Sequence, residues 1–472
     1  MKLRLFALLL ITPLSLLAQK RYAKALASID AKAEAYTDVA QQIWSWAELG
    51  YQEEKSSALL QSNLEDEGFT IEKGVAGIPT AFVATYGSGS PVIGIMGEYD
   101  ALPGISQSAV PYKTPSETSS GHACGHHLFG TASSAAAIAV KEHLAEKGKG
   151  GTIVFFGCPA EEGGSGKVYM TRAGLFDAVD VMLHWHPSSI NAANPANALA
   201  NKSAKFRFYG TSAHAAGAPE KGRSALDAVE SMNYMVNQMR EHVPSDSRIH
   251  YVITSGGEAP NVVPNYAEVY YYTRHPKREV VMDLFDRVVN AAKGAALGTD
   301  TKVDYEIIGG VHELLPNETL QTLVHKNLSA IGGYAYTSLE KEFATQISES
   351  LGRPLNTQYV EGVMPYTPNT PAGGSTDVGD VSFTVPTVGF GAATWVPGTP
   401  AHSWQAVAAG GTSIGTKGMV VAAKTLTLTA LQLLNSPKLI QQAKEEFETQ
   451  RGANFKYIPL IGDRAPALDY RN

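Results

Sequence analysis

The sequence predicts an α/β protein of two domains, in which a larger strand-and-helix sandwich is interrupted by a smaller ferredoxin-like α+β unit. Three observations carry that reading. The chain is 472 residues long, more than one ordinary core accommodates. Up to about residue 201, short runs that are apolar on both faces alternate with helical stretches, which implies a sheet covered on both sides with chemistry at the carboxyl ends of its strands. From Lys202 the order becomes β-α-β-β-α-β, and after Leu315 the earlier pattern returns, so the small unit is an insertion.

Taken in order, the chain opens with MKLRLFALLLITPLSLLAQ, where Lys2 and Arg4 precede an apolar run from Leu5 to Ala18. That run is too short for a membrane span and has the flanks of a secretory signal cleaved near Ala18. The expectation is a periplasmic or secreted protein with no membrane contact in its mature form. No cysteine follows the run to carry a lipid. Helical spacing from Ile29 to Gly68 leads to the strands AFVATYG and PVIGIMGEYD, an Ala-rich helix after Gly130, the strand GTIVFFGCP and the helix GKVYMTRAGLF. The insertion reads as SAKFRFYG (strand), GRSALDAVESMNYMVNQMREHV (helix), RIHYVITSGG and AEVYYYTRHP (strands), KREVVMDLFDRVVNAAKGAA (helix) and TKVDYEIIGG (strand). Further helices, the Gly-rich GGSTDVGDVS, the strand TVGFGAAT, the loop VPGTPAHSWQ and a long Ala/Leu helix from about Gly415 to Leu434 complete the larger unit. The division is a signal segment (1–18), the larger domain's first part (19–201), the inserted domain (202–314), the larger domain's second part (315–435) and an extension (436–472) that reads as polar and lying on the surface.

A formal charge of −7, spread without long runs, argues against nucleic-acid binding, which needs a basic face. Each of the two cysteines lies beside a chemical motif, so Cys124 reads as a metal ligand and Cys158 as a buried thiol, not as the halves of a disulfide. In GHACGHHLFG, residues 121–130, Cys124 and His126 bring a thiolate and an imidazole to one centre or two adjacent centres if the loop bends. The helix that follows would hold them rigidly. CPAEEGGSGK sets Glu161 beside Glu162 at a strand end. Adjacent carboxylates raise each other's pKa unless positive charge is near. A metal supplies that charge, with one Glu as ligand and the other taking a proton from water. The same stretch is not a phosphate-binding loop, because a required glycine is missing and Val168 stands where Ser or Thr would hold magnesium. VMLHWHPS ends an apolar strand with His184 and His186, which a continuous strand would present on one face. PGTPAHSW carries His402 in a Gly/Pro loop.

Together with GEYDALPG, GTSAHAAGAP, GGEAPNVVPN and GGSTDVGDVS, these motifs stand in the order of the metal-dependent aminoacylase and carboxypeptidase superfamily. The chain most resembles its hippurate hydrolase and auxin-conjugate amidohydrolase branch, over roughly residues 35–434. The resemblance implies a zinc-peptidase-like mixed-sheet catalytic domain and two divalent ions, Zn2+ or Mn2+, on Cys124, His126, Glu162, His186 and His402. Counting from Asp180 and Pro187 selects His186, with His184 as the alternative. Glu161 is implied to be the general base and Asp100 a carboxylate that orients a ligand. His214, with Asn261 beside it, is implied to reach the partner's site in a homodimer and to bind the oxyanion there. Arg274, at the end of AEVYYYTR, is placed either to clamp a substrate carboxylate or to be solvated at a strand end.

The implied reaction is hydrolysis of a small-molecule amide: an N-acyl amino acid, an aryl-amide glutamate or a dipeptide. A metal-containing solute-binding protein without turnover is the competing class, and the presence of Glu161 argues against it. Two positions depart from the superfamily's pattern. Position 98, a histidine ligand in the carboxypeptidase relatives, is Glu, and His127 stands where relatives have Asp or Asn. His122 reads as a supporting loop residue, and His143, His242, His250, His275, His312 and His325 as structural.

Overall fold

The computed structural model describes residues 20–148, 150–194, 197–368 and 373–471. The predicted signal segment lies outside the described residues. No helix among those described is long and apolar enough to cross a membrane.

The larger domain is organised on the helix His126–Lys147, which is buried on every side from His126 to Val140. Its run of Ala, Ser and Gly permits this, since a helix small and apolar all round belongs inside. It packs between the strand Val92–Gly97 and the helix Ser413–Leu434. The sheet beside it has six strands in the order Thr70–Lys73, Phe82–Ser88, Gly151–Gly157, Val92–Gly97, Val181–Leu183 and Thr387–Val388. The first three are joined antiparallel and the last four parallel, which makes the sheet mixed. Gly151–Gly157, Val92–Gly97 and Val181–Leu183 all run the same way. The motifs that follow them, CPAEE, EYD and HWHP, therefore emerge at one edge.

One expectation fails at that edge. His184 and His186 do not alternate along a continuous strand, because the chain leaves the six-stranded sheet after Leu183 and starts a second, two-stranded ribbon at His186–Ser188. Its partner breaks at the same level: TVGFGAAT divides into Thr387–Val388 in the large sheet and Gly391–Ala393 in the ribbon. Gly389, between the halves, lies against the half-buried His184 ring, where a Cβ would come within 2.2 Å. His184 is packed there while His186 goes elsewhere.

The small domain is an antiparallel sheet in the order Arg248–Ser255, Tyr266–His275, Ala200–Tyr209 and Lys302–Val311. Helices Ala225–Met239 and Arg278–Gly298 cover one face, closing a core of Phe206, Phe208, Val229, Met232, Tyr271 and Phe285. Strand alternation sends Tyr270, Tyr272 and Arg274 to the other face.

The extension lies largely on the surface, as its polarity predicts, but it is packed down at five buried positions. Helix Pro437–Arg451 buries Ile440, Ala443 and Phe447, an i, i+3, i+7 stripe within an otherwise polar sequence. Lys444 on it pairs with Asp180. Residues 452–471 then run back between the domains, burying Leu460 and Ile461.

Candidate metal centre and active site

His126, His186 and His402 are each fixed at the shared edge by a second contact. His126 opens the buried helix, and its Nδ1 lies 2.8 Å from Asp100 Oδ1. A proton on Nδ1 leaves Nε2 as the electron-pair donor, and Nε2 faces Glu98 Oε2 at 3.1 Å. The other oxygen of Asp100 accepts the backbone N–H of Glu162 at 2.8 Å, so one carboxylate orients two predicted ligands. His186 is held alike, its Nδ1 2.8 Å from the Pro187 carbonyl. Its Nε2 lies 3.5 Å from Cys124 Sγ. His402 arrives from the distant Gly/Pro loop, its backbone N–H on the Ala123 carbonyl at 2.9 Å and its Nε2 3.2 Å from Glu162 Oε1.

Potential ligand atoms converge in three overlapping groups: Cys124, His126 and His186; Cys124, Glu162 and His402; and Glu98, His126 and Glu161, each within 4.8 Å. His126 Nε2 and Glu98 Oε2 lie 3.1 Å apart, and Glu162 Oε1 faces His402 Nε2 at 3.2 Å, yet none of these three buried atoms, His126 Nε2, Glu98 Oε2 and Glu162 Oε1, makes a hydrogen bond of good geometry. Buried polar atoms are rarely left so, and a cation at this position would supply the missing partner. The thiolate, imidazole and carboxylate set fits a divalent transition metal, and two groups sharing Cys124 fit two ions. All five predicted ligands are brought together; His184 is not among them.

Glu161 borders the cleft from the same loop. Burial first, then the charges of Glu98 and Glu162, push its pKa well above the usual carboxylate value. Both cysteines are free and buried. Burial pushes the thiols of both above their ordinary value, so Cys124 ionises only with positive charge at hand.

The sequence reasoning missed a charged network behind this cluster. Lys167 is wholly buried, with its ammonium 2.6 Å from Glu98 Oε1 and 2.7 Å from Asp377 Oδ1. Its backbone N–H also reaches Asp377 Oδ2 at 2.9 Å. Burial alone would raise the pKa of Glu98, but Lys167 and His126 outweigh it and hold it below the ordinary value. Three motifs thus meet here, since GEYD contributes Glu98, GGSGK Lys167 and GGSTDVGD Asp377. The signal available was the lysine that remained once GGSGK had been excluded as a phosphate loop. His122 and His127 support the ligand loop, with Nε2 atoms 3.1 Å from the carbonyls of Ile43 and Gly410 and rings 4.8 Å apart.

A cleft of about 1080 Å³ opens between the domains, bordered by Glu161, Glu162, His402, Asp377 and, from the small domain, Arg274. The Arg274 guanidinium lies 5.2 Å above the Tyr272 ring and its Nε is buried without a partner. His214 and Asn261 do not border this cleft. They are exposed and adjacent: Ala215 N–H donates to the Asn261 carbonyl at 3.0 Å, and His214 Nδ1 accepts the N–H groups of Ala216 and Gly217 at 3.2 and 3.0 Å. Within one chain, neither meets Glu161.

Residues 94–459 match the model for peptidase family M20/M25/M40. One of the subunits of the p-aminobenzoyl-glutamate hydrolase of Escherichia coli (strain K12) is 43% identical over 469 residues, covering 93% of this chain and 97% of that protein. The Xaa-Arg dipeptidase of Homo sapiens is 31% identical over 446 residues, covering 89% and 90%. A Bacillus subtilis structure described as a dinuclear metal binding peptidase from the M20 family has the same fold, with a TM-score of 0.59 and 16% identity over 86% of this chain and 99% of that one. The family match spans the large sheet from Val92–Gly97 onward, the small domain and every residue of the cluster from Glu98 to His402, and the chain belongs to peptidase family M20/M25/M40.

Proposed function

We propose that the protein is an exported, metal-dependent amidohydrolase acting on an aryl-amide glutamate such as p-aminobenzoyl-glutamate, or on a related N-acyl amino acid or dipeptide. The observation that carries this is the convergence of five ligand side chains, whose buried atoms His126 Nε2 and Glu162 Oε1 make no hydrogen bond of good geometry, beside a raised-pKa glutamate at the wall of a cleft that an arginine faces. The 43% identity over nearly the full length of a p-aminobenzoyl-glutamate hydrolase chain favours the first substrate class.

Cys124, His126, Glu162, His186 and His402 would hold two ions, with zinc suited to the thiolate and manganese to the carboxylate and imidazoles. Such ions supply positive charge that polarises a carbonyl and makes water acidic near neutral pH. Glu161 accepts the water's proton and passes it to the leaving nitrogen. Asp100 keeps His126 and the Glu162 loop in register meanwhile, and Arg274 holds the carboxylate of the amino-acid portion. Oxyanion binding falls to His214, with Asn261 beside it, supplied by a second copy. A dimer is supported by the edge strand Arg248–Ser255, whose outer side has no strand partner among the described residues and whose Tyr251, Val252 and Ile253 are 37%, 55% and 39% exposed. An apolar sheet edge of this kind calls for cover, and two-fold pairing provides it. Export rests on Lys2, Arg4 and the apolar run after them, and sequencing the amino terminus of the mature protein tests it.

The experiment is hydrolysis of p-aminobenzoyl-glutamate, N-acyl amino acids and dipeptides by protein of measured zinc or manganese content. Turnover of one class with two ions per chain is expected. A metal-loaded protein that binds these compounds and cleaves none would favour the solute-binding alternative. For the trans histidine, His214→Ala and Glu161→Gln chains are mixed under conditions that let protomers exchange. Activity should recover to roughly a quarter of wild type for random pairing, and proven exchange without recovery contradicts a composite site.

A further inference from the structure

The loop that carries Glu161 and Glu162 is held in a conformation it would not choose alone. Ala160 and Ser165 have φ of 56° and 61° and Gly163 has 93°, and left-handed backbone at non-glycine residues persists only where surroundings impose it. Several contacts impose it. Glu53 Oε1 accepts Ala160 N–H at 2.8 Å, Asp100 accepts Glu162 N–H, and Tyr51 Oη donates to the Gly164 carbonyl at 2.6 Å. The remaining anchors come from the far end of the described chain. Tyr470 Oη donates to the Glu162 carbonyl at 3.1 Å, and the Arg471 guanidinium donates to the same oxygen.

Neither residue rests there casually. Tyr470 packs edge-on against Tyr51, with ring centroids 5.5 Å apart, and its hydroxyl sits over Gly50, where a Cβ would come within 2.3 Å of it. Upstream, Arg172 donates to the carbonyls of Gly462 and Arg464 at 2.9 Å each, and Arg464 reaches the Ile308 carbonyl at 3.2 Å and Glu306 at 3.3 Å on the small domain. The segment is thus tied to both domains before it meets the loop. Tyr470 and Arg471 also border the cleft.

We propose that Tyr470 and Arg471 are positioning residues of the active site. By filling both acceptor directions of the Glu162 carbonyl they set the Glu162 carboxylate among the ligands and turn Glu161 to the cleft. The inference rests on the reading of Glu162 as a ligand and Glu161 as the base. It also gives a role to a stretch whose sequence reads as a polar appendage.

The test uses the full chain with Tyr470→Phe, Arg471→Met and the double substitution. Zinc affinity is measured by chelator competition, and kcat and KM on whichever substrate the wild type cleaves. Loss of an orienting contact outside the ligand set costs about tenfold or more in metal affinity. The double variant should therefore bind zinc at least about tenfold more weakly and lose kcat more than KM changes, with Tyr470→Phe intermediate. Zinc affinity and kcat both within twofold of wild type would overturn the proposal. Should the double variant not fold, Tyr470→Phe and Arg471→Met are read singly, and zinc affinity and kcat within twofold of wild type in both would overturn the proposal. Glu162→Gln is measured in parallel: unchanged zinc affinity there removes the ligand reading itself, whereas weakened affinity there with none in the tail variants removes only the role of the tail.

Discussion

Replacing Lys167 by Met takes away the ammonium that lies 2.6 Å from Glu98 and 2.7 Å from Asp377 in a fully buried setting. Removing one partner of a buried ion pair costs about 3–5 kcal/mol, because the other charge is left uncompensated. Here two carboxylates are left, so the loss should lie at the upper end, about 5 kcal/mol, unless one of them takes a proton. Asp377 is the group to do so, since burial pushes its pKa up to about 6 even with Lys167 beside it. A carboxyl whose folded pKa exceeds its unfolded value binds more protons folded than unfolded, so stability falls as pH rises through that window. The destabilisation by Lys167→Met should therefore be smaller near pH 5 than near pH 8. Denaturant unfolding of metal-free protein, read on the transition of the larger domain, keeps metal binding out of the comparison. The triple variant Lys167→Met, Glu98→Gln, Asp377→Asn, which removes all three charges, should recover part of the loss. A deficit below about 1 kcal/mol at pH 8, the range of exposed ion pairs, would refute the reasoning.

Asp100→Asn leaves one carbonyl oxygen where two now accept from His126 and Glu162. Metal affinity by chelator competition should fall about 10- to 100-fold, and unchanged affinity contradicts the double role. Removing metal should speed alkylation of Cys124 and leave Cys158 protected, as peptide mass mapping would record; equal rates at both thiols count against Cys124 as a ligand. Burial would raise the pKa of Glu340, but Lys417 and Ser413, each at 2.6 Å, hold it below its ordinary 4.5. A depressed carboxyl stabilises the fold above its unfolded pKa and loses that contribution as pH falls through the folded one. Lys417→Met should therefore flatten the fall of Tm below about pH 4.5, and an unchanged acid slope contradicts the pairing.

What could be read in the sequence was whatever short spacing encodes. Alternating apolar runs implied the mixed α/β layers, and β-α-β-β-α-β order implied the antiparallel small sheet. Local spacing marked Cys124 with His126, the Glu161–Glu162 pair, the His184–His186 pair and the loop of His402 as candidates; the resemblance chose Glu162 and His186 among them and gave His402 its role. Contacts between distant, individually ordinary residues could not be read. Lys167 and Asp377 are 210 positions apart, and nothing local marks a buried lysine. The relation of His184 to His186 depended on a strand break enforced by a second ribbon, which periodicity does not report. Leu460, Ile461 and Tyr470 are isolated in a polar, Pro-punctuated stretch, so their burial followed from a groove that exists only once both domains are folded.

At the centre of the proposed chemistry, Glu161 moves the proton while its neighbour Glu162 serves the metal. The most direct measurement pairs metal content with turnover of p-aminobenzoyl-glutamate in Glu161→Gln. The variant should retain the wild-type metal content and lose kcat by about 100-fold or more, the least a positioned general base contributes. Turnover near the wild-type rate, or loss of the metal with the carboxylate, would contradict it.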